Sequence, residues 1–202
     1  MSRTQLVLCV HPDSPFKTAQ ELVAHAKANL GKLTFASAGI GTGIYLASEQ
    51  FRQVTGIEIV VAPSRGGAPA LADFLSGKVD FTFGAVPTIK PHIEGGKARG
   101  LGVTHGHAPQ LPGTPSMEEI GYGSVDSASE KGLIVPAATP PAIVERLQKC
   151  FAEAVKAPAF RATLLECGFQ PIGTTTEEYR VHVNREIEKW IKIIAAGNVK
   201  PE

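Results

Sequence analysis

From Leu6 to Thr104 short apolar runs alternate with stretches of helical apolar spacing, and no other property of the sequence limits its fold as tightly. Leu6–Val10, Leu33–Ala36, Ile57–Val61, Val79–Phe83 and Ala98–Thr104 are too short for buried helices and read as strands. The first intervening helix opens at Thr18 with Glu21 three residues on, a capping box. It keeps Ala19, Val23, Ala26 and Leu30 at helical spacing, and Asn29-Leu30-Gly31 closes it. The next carries Ala47, Phe51 and Val54 on one face, and a third carries Ala70, Leu71, Phe74 and Leu75. Pro87–Ile93 is a short helix stopped by Gly95-Gly96. Such a succession predicts an α/β fold, a mostly parallel sheet with helices on its faces.

Gly106–Ser129 is rich in Pro, Gly and Ser and reads as connection. Beyond it the pattern predicts a strand at Gly132–Val135 and a rigid turn over Pro136–Pro141. A helix with Ile143, Leu147, Phe151 and Val155 on one face follows, then a shorter one at Pro158–Cys167. The last helix starts at a second capping box, Thr174 with Glu177, and carries Tyr179, Val183, Ile187, Trp190, Ile191 and Ile194. The stripe around Trp190 is core or interface. The chain thus divides into residues 1–11, an α/β unit at 12–125 and a mainly helical part at 126–202. Leu6–Val10 and Gly132–Val135 bracket the unit, as they do when one lobe is inserted into another through a double hinge.

Composition removes several function classes. Twenty Lys and Arg against nineteen Asp and Glu leave a net charge of +1, without the basic excess of a nucleic-acid binder. No apolar run approaches the ~18 residues of a membrane span. Cys9, Cys150 and Cys167 are odd in number and unpatterned, which argues against a disulfide framework and a zinc site. Met1-Ser-Arg-Thr leads into an apolar run ended by His11-Pro12-Asp13, shorter than the ~7–15 residues of a secretory signal. Read alone, that start predicts a cytosolic chain.

Two loops carry the candidate chemistry. Phe35-Ala-Ser-Ala-Gly-Ile-Gly-Thr-Gly43 lies between a strand and a helix, where free N–H groups at a helix start favour an anion. Ser37 and Thr42 add hydroxyls; the plainer alternative is that the glycines only make a tight turn. Neither a dinucleotide fingerprint nor a nucleophile elbow fits: the glycines stand at 39, 41 and 43, and Phe35 occupies the first glycine of the elbow. Gly77-Lys78 and Gly96-Lys97 lack the earlier glycine of a Walker loop. In the second loop, Ala62-Pro-Ser-Arg-Gly-Gly67, Arg65 offers a planar fork for a carboxylate or else simply faces water. Successive βα units place both loops at the carboxyl edge of the sheet, the usual ligand position of open α/β sheets. The third loop, Gly84-Ala85-Val86-Pro87, has no polar side chain. His105-Gly-His107 lacks further ligands at metal spacing and reads as a solvated pair, so no metal site is expected. No acid–base constellation is visible, and no catalytic residue is assigned.

Taken in order, several segments resemble one family. They are Gly31-Lys-Leu-Thr-Phe-Ala-Ser-Ala-Gly-Ile-Gly-Thr42, Val61-Ala-Pro-Ser-Arg-Gly-Gly-Ala-Pro-Ala-Leu71, Leu75-Ser-Gly-Lys-Val-Asp80 and Ile93-Glu-Gly-Gly-Lys-Ala-Arg-Gly-Leu101. Later come Leu111-Pro-Gly-Thr-Pro115, Met117-Glu-Glu-Ile-Gly121, Pro136-Ala-Ala-Thr-Pro140 and Glu186-Ile-Glu-Lys-Trp190. Their order and spacing resemble the Bug (TctC-like) solute-binding proteins of tripartite tricarboxylate transporters.

The resemblance implies a type II periplasmic-binding-protein fold with one complete lobe and part of a second. It implies a non-enzymatic receptor, without a cofactor, that presents a small organic carboxylate to membrane transporter subunits. The residues it places at the ligand are Ser37, Ala38, Gly39, Gly41, Thr42, Pro63, Ser64, Arg65, Gly66, Gly67 and Gly84. Against the family pattern, Ser64 stands where Tyr is usual, Tyr45 replaces a common His, and Gly84-Ala85 replaces a frequent Asp-Asn pair. Glu130-Lys131-Gly132 lies where an aromatic often precedes the hinge glycine. Losing the acid near position 84 disfavours an amino-acid ligand. Relative to the family the chain begins at the crossover strand, without the signal peptide and first α/β units. The resemblance implies a periplasmic location, and the missing units imply weak ligand binding by this chain alone and a homodimer covering the incomplete lobe. Two further readings are a cytosolic ligand-sensing module on the same fold and a serine hydrolase using Ser37.

Overall fold

The first strand, β1 (Ser2–Val10), belongs to two sheets at once. In this computed structural model, which describes residues 2–199, its second half pairs antiparallel with β4 (Phe81–Ala85) and β5 (Arg99–Val103). Its first half, Ser2–Gln5, pairs antiparallel with β6 (Ala128–Lys131), and Ser2 and Arg3 also pair with β7 (Gln170–Pro171). The larger sheet is completed by β2 (Leu33–Ser37) and β3 (Ile59–Pro63), parallel to each other, with β2 parallel to β4. Its order is β3-β2-β4-β1-β5, so β1 alone runs against its neighbours.

Burial on both faces explains why β2, β4 and the second half of β1 read as nearly continuous apolar runs, while β3 at the sheet edge is only part-buried. Leu6, Leu8 and Val10 of β1 face a core with Phe35, Phe81 and Phe83, covered by α1 (Ala19–Ala28) and α2 (Gly43–Thr55). Val7 and Cys9 alternate onto the other face, under α3 (Gly67–Leu75) and α4 (Val86–Glu94). Thr18 caps α1 by accepting from Glu21 N–H at 3.1 Å, while the Glu21 carboxylate accepts from Lys17 N–H instead of closing the box.

The C-terminal part consists of α5 (Pro141–Lys156), α6 (Pro158–Glu166) and α7 (Thr176–Ala196). Here the expectations shift. The capping box falls one residue later, at Thr175 and Glu178, where both reciprocal bonds form. The strand expected at Gly132–Val135 is absent; β6 lies just before it, in the polar run Ala-Ser-Glu-Lys. A strand needs a partner, and β1 offers one to residues 128–131 but none to Leu133 and Ile134, which are 54% and 86% exposed. The apolar stripe of α5 also stays largely uncovered, with Val155 the one buried residue of that helix. With Leu133 and Val135 it lines a groove of about 400 Å³.

Several contacts hold the helical part against the larger sheet unit, among them a bond from Gln110 to the Leu165 carbonyl of α6. Gln53 of α2 donates to the Ile193 carbonyl of α7 at 2.8 Å. On the other side Gly168, with φ of +80°, sits so close to Val86 that a Cβ would come within 2.9 Å of its Cγ1. Any side chain at 168 would push α6 and β7 away from the start of α4.

Candidate functional site

Ser37 and Ser64 join the first two strand exits, because the Ser64 N–H donates to the Ser37 carbonyl at 3.0 Å. After Ser37 the chain turns through Gly39 and Gly41, with φ of +118° and +78°, angles that side-chain-bearing residues avoid. Ser37 is buried, and its Oγ accepts from the Gly39 N–H at 3.2 Å. Thr42 caps α2: its Oγ1 accepts from Tyr45 N–H at 3.4 Å and donates to the Gly39 carbonyl at 2.7 Å. Both hydroxyls therefore shape the loop. The N–H groups of Ile40, Gly41, Gly43 and Ile44 find no acceptor among the described residues. They lie at or just before the helix start, where the backbone dipoles favour negative charge.

The second loop works the same way with less side-chain help. Pro63 ends β3, Gly66 donates to the Ser64 carbonyl at 2.9 Å, and α3 begins with no side-chain cap. Its first N–H groups, on Gly67 and Ala68, stay unpaired among the described residues, while Pro69 has none to leave. Ser64 Oγ donates to Asp73 Oδ2 at 3.2 Å, away from the loop's free amides. The Lys78 ammonium, with help from Ser64, holds the Asp73 carboxyl below the usual carboxylate range. Arg65 is exposed and forms no ion pair among the described residues, so its fork is available.

The third exit differs. Gly84 is buried, and a Cβ there would meet Ile89 at 3.0 Å. Its glycine serves close packing of β4 against α4. Ala38 lies part-buried between Ser37 and the glycine turn. The structure thus brings Ser37–Thr42 and Pro63–Gly67 together at one sheet edge, and sets Gly84 beneath the neighbouring strand exit.

Other chemistry finds no support. No imidazole or carboxylate hydrogen-bonds to Ser37 Oγ among the described residues. No group of three or more His, Cys, Asp and Glu that could hold a metal occurs among them. His105 and His107 go separate ways, to Arg3 and to Glu119. No helix of the described residues is long and apolar enough to cross a membrane. Sequence reasoning missed the polar crossing between the sheets, where Arg3, Glu130, His105 and His182 meet. The buried pair Thr4-Gln5 at the start of a strand was its one available signal.

Comparison with known proteins bears on this geometry. A family model described as tripartite tricarboxylate transporter family receptor matches residues 1–199. The UPF0065 protein in the tcbD-tcbE intergenic region of Pseudomonas sp. (strain P51) is 35% identical over 190 residues, 93% of this chain and 56% of that protein. Protein BugT of Bordetella pertussis is 28% identical, covering 96% of this chain and 60% of its own length. The solved structure of R. palustris Rpa4515 with adipate superposes on the whole chain with a TM-score of 0.91 at 29% identity, and the match covers 68% of that chain. The chain therefore spans 56–60% of the length of these two sequence relatives and about two thirds of the solved chain.

Proposed function

Because the chain belongs to the tripartite tricarboxylate transporter family receptors, we propose that it forms the anion-holding lobe of a periplasmic receptor for a small dicarboxylate. The ligand-holding unit is residues 12–125, and the receptor delivers its cargo to membrane transporter subunits. One observation carries this reading: Ser64 N–H on the Ser37 carbonyl locks two helix starts side by side, each with amides, and beside them an Arg65 fork, that find no partner among the described residues. The neighbour solved with adipate supports a carboxylate as the ligand. Family members are solute-binding receptors, not a class of enzyme, and catalysis has no part in the proposal.

The ligand's chemistry follows from what the loops offer. Amides at two helix starts and one guanidinium suit carboxylates. No acidic side chain stands at 84–86 to hold an ammonium. A plain dicarboxylate such as adipate therefore binds in preference to glutamate. Affinity is low for this chain alone, since it presents a single wall of the site and cannot enclose the ligand. Calorimetric titration tests this: adipate binds more weakly than ~1 µM and glutamate more weakly still. Submicromolar binding, or a preference for glutamate, contradicts it. A second copy covers the groove beside α5 and the exposed Leu133–Val135, and light scattering that gives the mass of one chain at high concentration contradicts that pairing.

A further inference from the structure

Two segments cross between the sheets, β1 around Arg3–Leu6 and the stretch Asp126–Lys131, and a cluster of charged side chains stands at the crossing. Arg3 donates through Nε to Glu130 Oε1 at 2.7 Å, and its Nη2 lies 2.7 Å from the same oxygen. His182 of α7 places Nε2 2.6 Å from Glu130 Oε2. The remaining nitrogen of the Arg3 fork, Nη1, lies 2.5 Å from Nε2 of His105, on the loop leaving β5. A guanidinium carries donors only, so His105 Nε2 must accept, which makes the ring neutral with its proton on Nδ1. His105 also holds a left-handed backbone, φ 54°, uncommon for non-glycine residues though less so for Asn, Asp and His. Seven residues along α7 from His182, Lys189 reaches Asp126, and the same helix ends on α2 through Ile193 and Gln53.

We infer that this cluster is a proton-sensitive catch on the hinge: with His105 neutral, Arg3 ties the β5 loop to β6 and α7, and a proton on His105 releases the tie. Protonation turns Nε2 into a donor facing a donor and sets an imidazolium against a guanidinium. The charged groups around His105 are Arg3 and Glu130 from the crossing strands, Asp126 beside β6, and Lys189 from α7. His182 joins through Glu130, and Lys189 is also paired with Glu186.

His105 keeps an exposed surface, yet partial desolvation and then the charge of Arg3 hold it below its ordinary value of 6.5, with Asp126 and Glu130 opposing and Lys189 adding. A histidine depressed in this way contributes its full stability above about pH 6.5 and loses it as the pH falls below that. Burial pushes the Glu130 carboxyl up, but hydrogen bonds from His182 and Arg3 outweigh it and hold the group below its ordinary 4.5. Glu130 therefore stabilises above about pH 4.5 and yields only below it. The two windows are separate, so His105 is expected to govern the range between about pH 7 and about pH 5.

The test uses the full chain without ligand, so its outcome is independent of the carboxylate reading. Nitrogen shifts of the His105 ring report which ring atom carries the proton, and amide-exchange protection of Arg3–Leu6 and Ser129–Lys131 reports the hinge. At neutral pH the proton is on Nδ1, and protection falls as the pH drops from about 7 to about 5. His105→Asn, which tolerates the left-handed backbone and does not titrate, removes the fall, while His182→Gln keeps it. A proton on Nε2 at neutral pH overturns the proposal whatever the variants do. So does a flat profile in the wild type, an unchanged fall in His105→Asn, or its loss in His182→Gln.

Discussion

Ser37, Thr42 and Ser64 look like ligand residues in the sequence, yet each hydroxyl has work inside the protein, on Gly39, on Gly39 and Tyr45, and on Asp73. That division of labour gives a residue-level prediction. Arg65→Met weakens dicarboxylate binding about tenfold, the worth of one charge-assisted contact at an exposed site, without lowering the melting temperature. Ser64→Ala, which only frees Asp73, changes affinity less than twofold, roughly the level of a contact never made to the ligand. Calorimetry on both variants checks the pair. Gly41→Val acts through the backbone instead: at φ of +78° it costs about 1–2 kcal/mol, read as a lower denaturation midpoint. The thiols give a simpler check. Burial pushes the Cys9 thiol far up while Cys150 and Cys167 are exposed, so a thiol reagent modifies the latter two in the native protein and Cys9 only after denaturation.

Elements explain what the sequence could disclose. Most strands of the larger sheet and the two glycine-bearing strand-to-helix loops were legible because their residues serve local purposes: apolar runs for the strands, then glycine, with the Thr42 cap in the first loop and no side-chain cap in the second. Partnered polar strands were not. Thr4 and Gln5 are polar and buried at once, and Gln5 pays its desolvation through a bond to the His107 carbonyl, a residue far away in sequence. The opposite error occurred at Gly132–Val135, where an apolar run promised a strand for which the described chain supplies no partner. The preference for Thr174 over Thr175 had no local arbiter, since a Thr stands three residues before a Glu at both positions. Position in the fold predicts different sensitivities for two aliphatic residues. Leu8→Ala, inside the sheet, costs about 2–5 kcal/mol by chemical denaturation, whereas Ile134→Lys shifts the stability of the single chain, measured at a concentration too low for pairing, by no more than about 0.5 kcal/mol.

At the scale of the molecule, a well-buried sheet unit is joined by a two-strand crossing to a helical part whose apolar face stays open. The joint is polar and specific, and the edge proposed to bind the anion lies in the buried unit, so its two loops are expected to keep their shape in this chain by itself. Mapping amide shifts on the full chain during addition of adipate to about 10 mM tests this most directly, a concentration that populates even millimolar complexes. The account predicts saturable shifts concentrated on Ile40–Ile44 and Arg65–Ala68, diminished in Arg65→Met. Shifts confined to the groove beside α5, or no shifts in either loop, would contradict it.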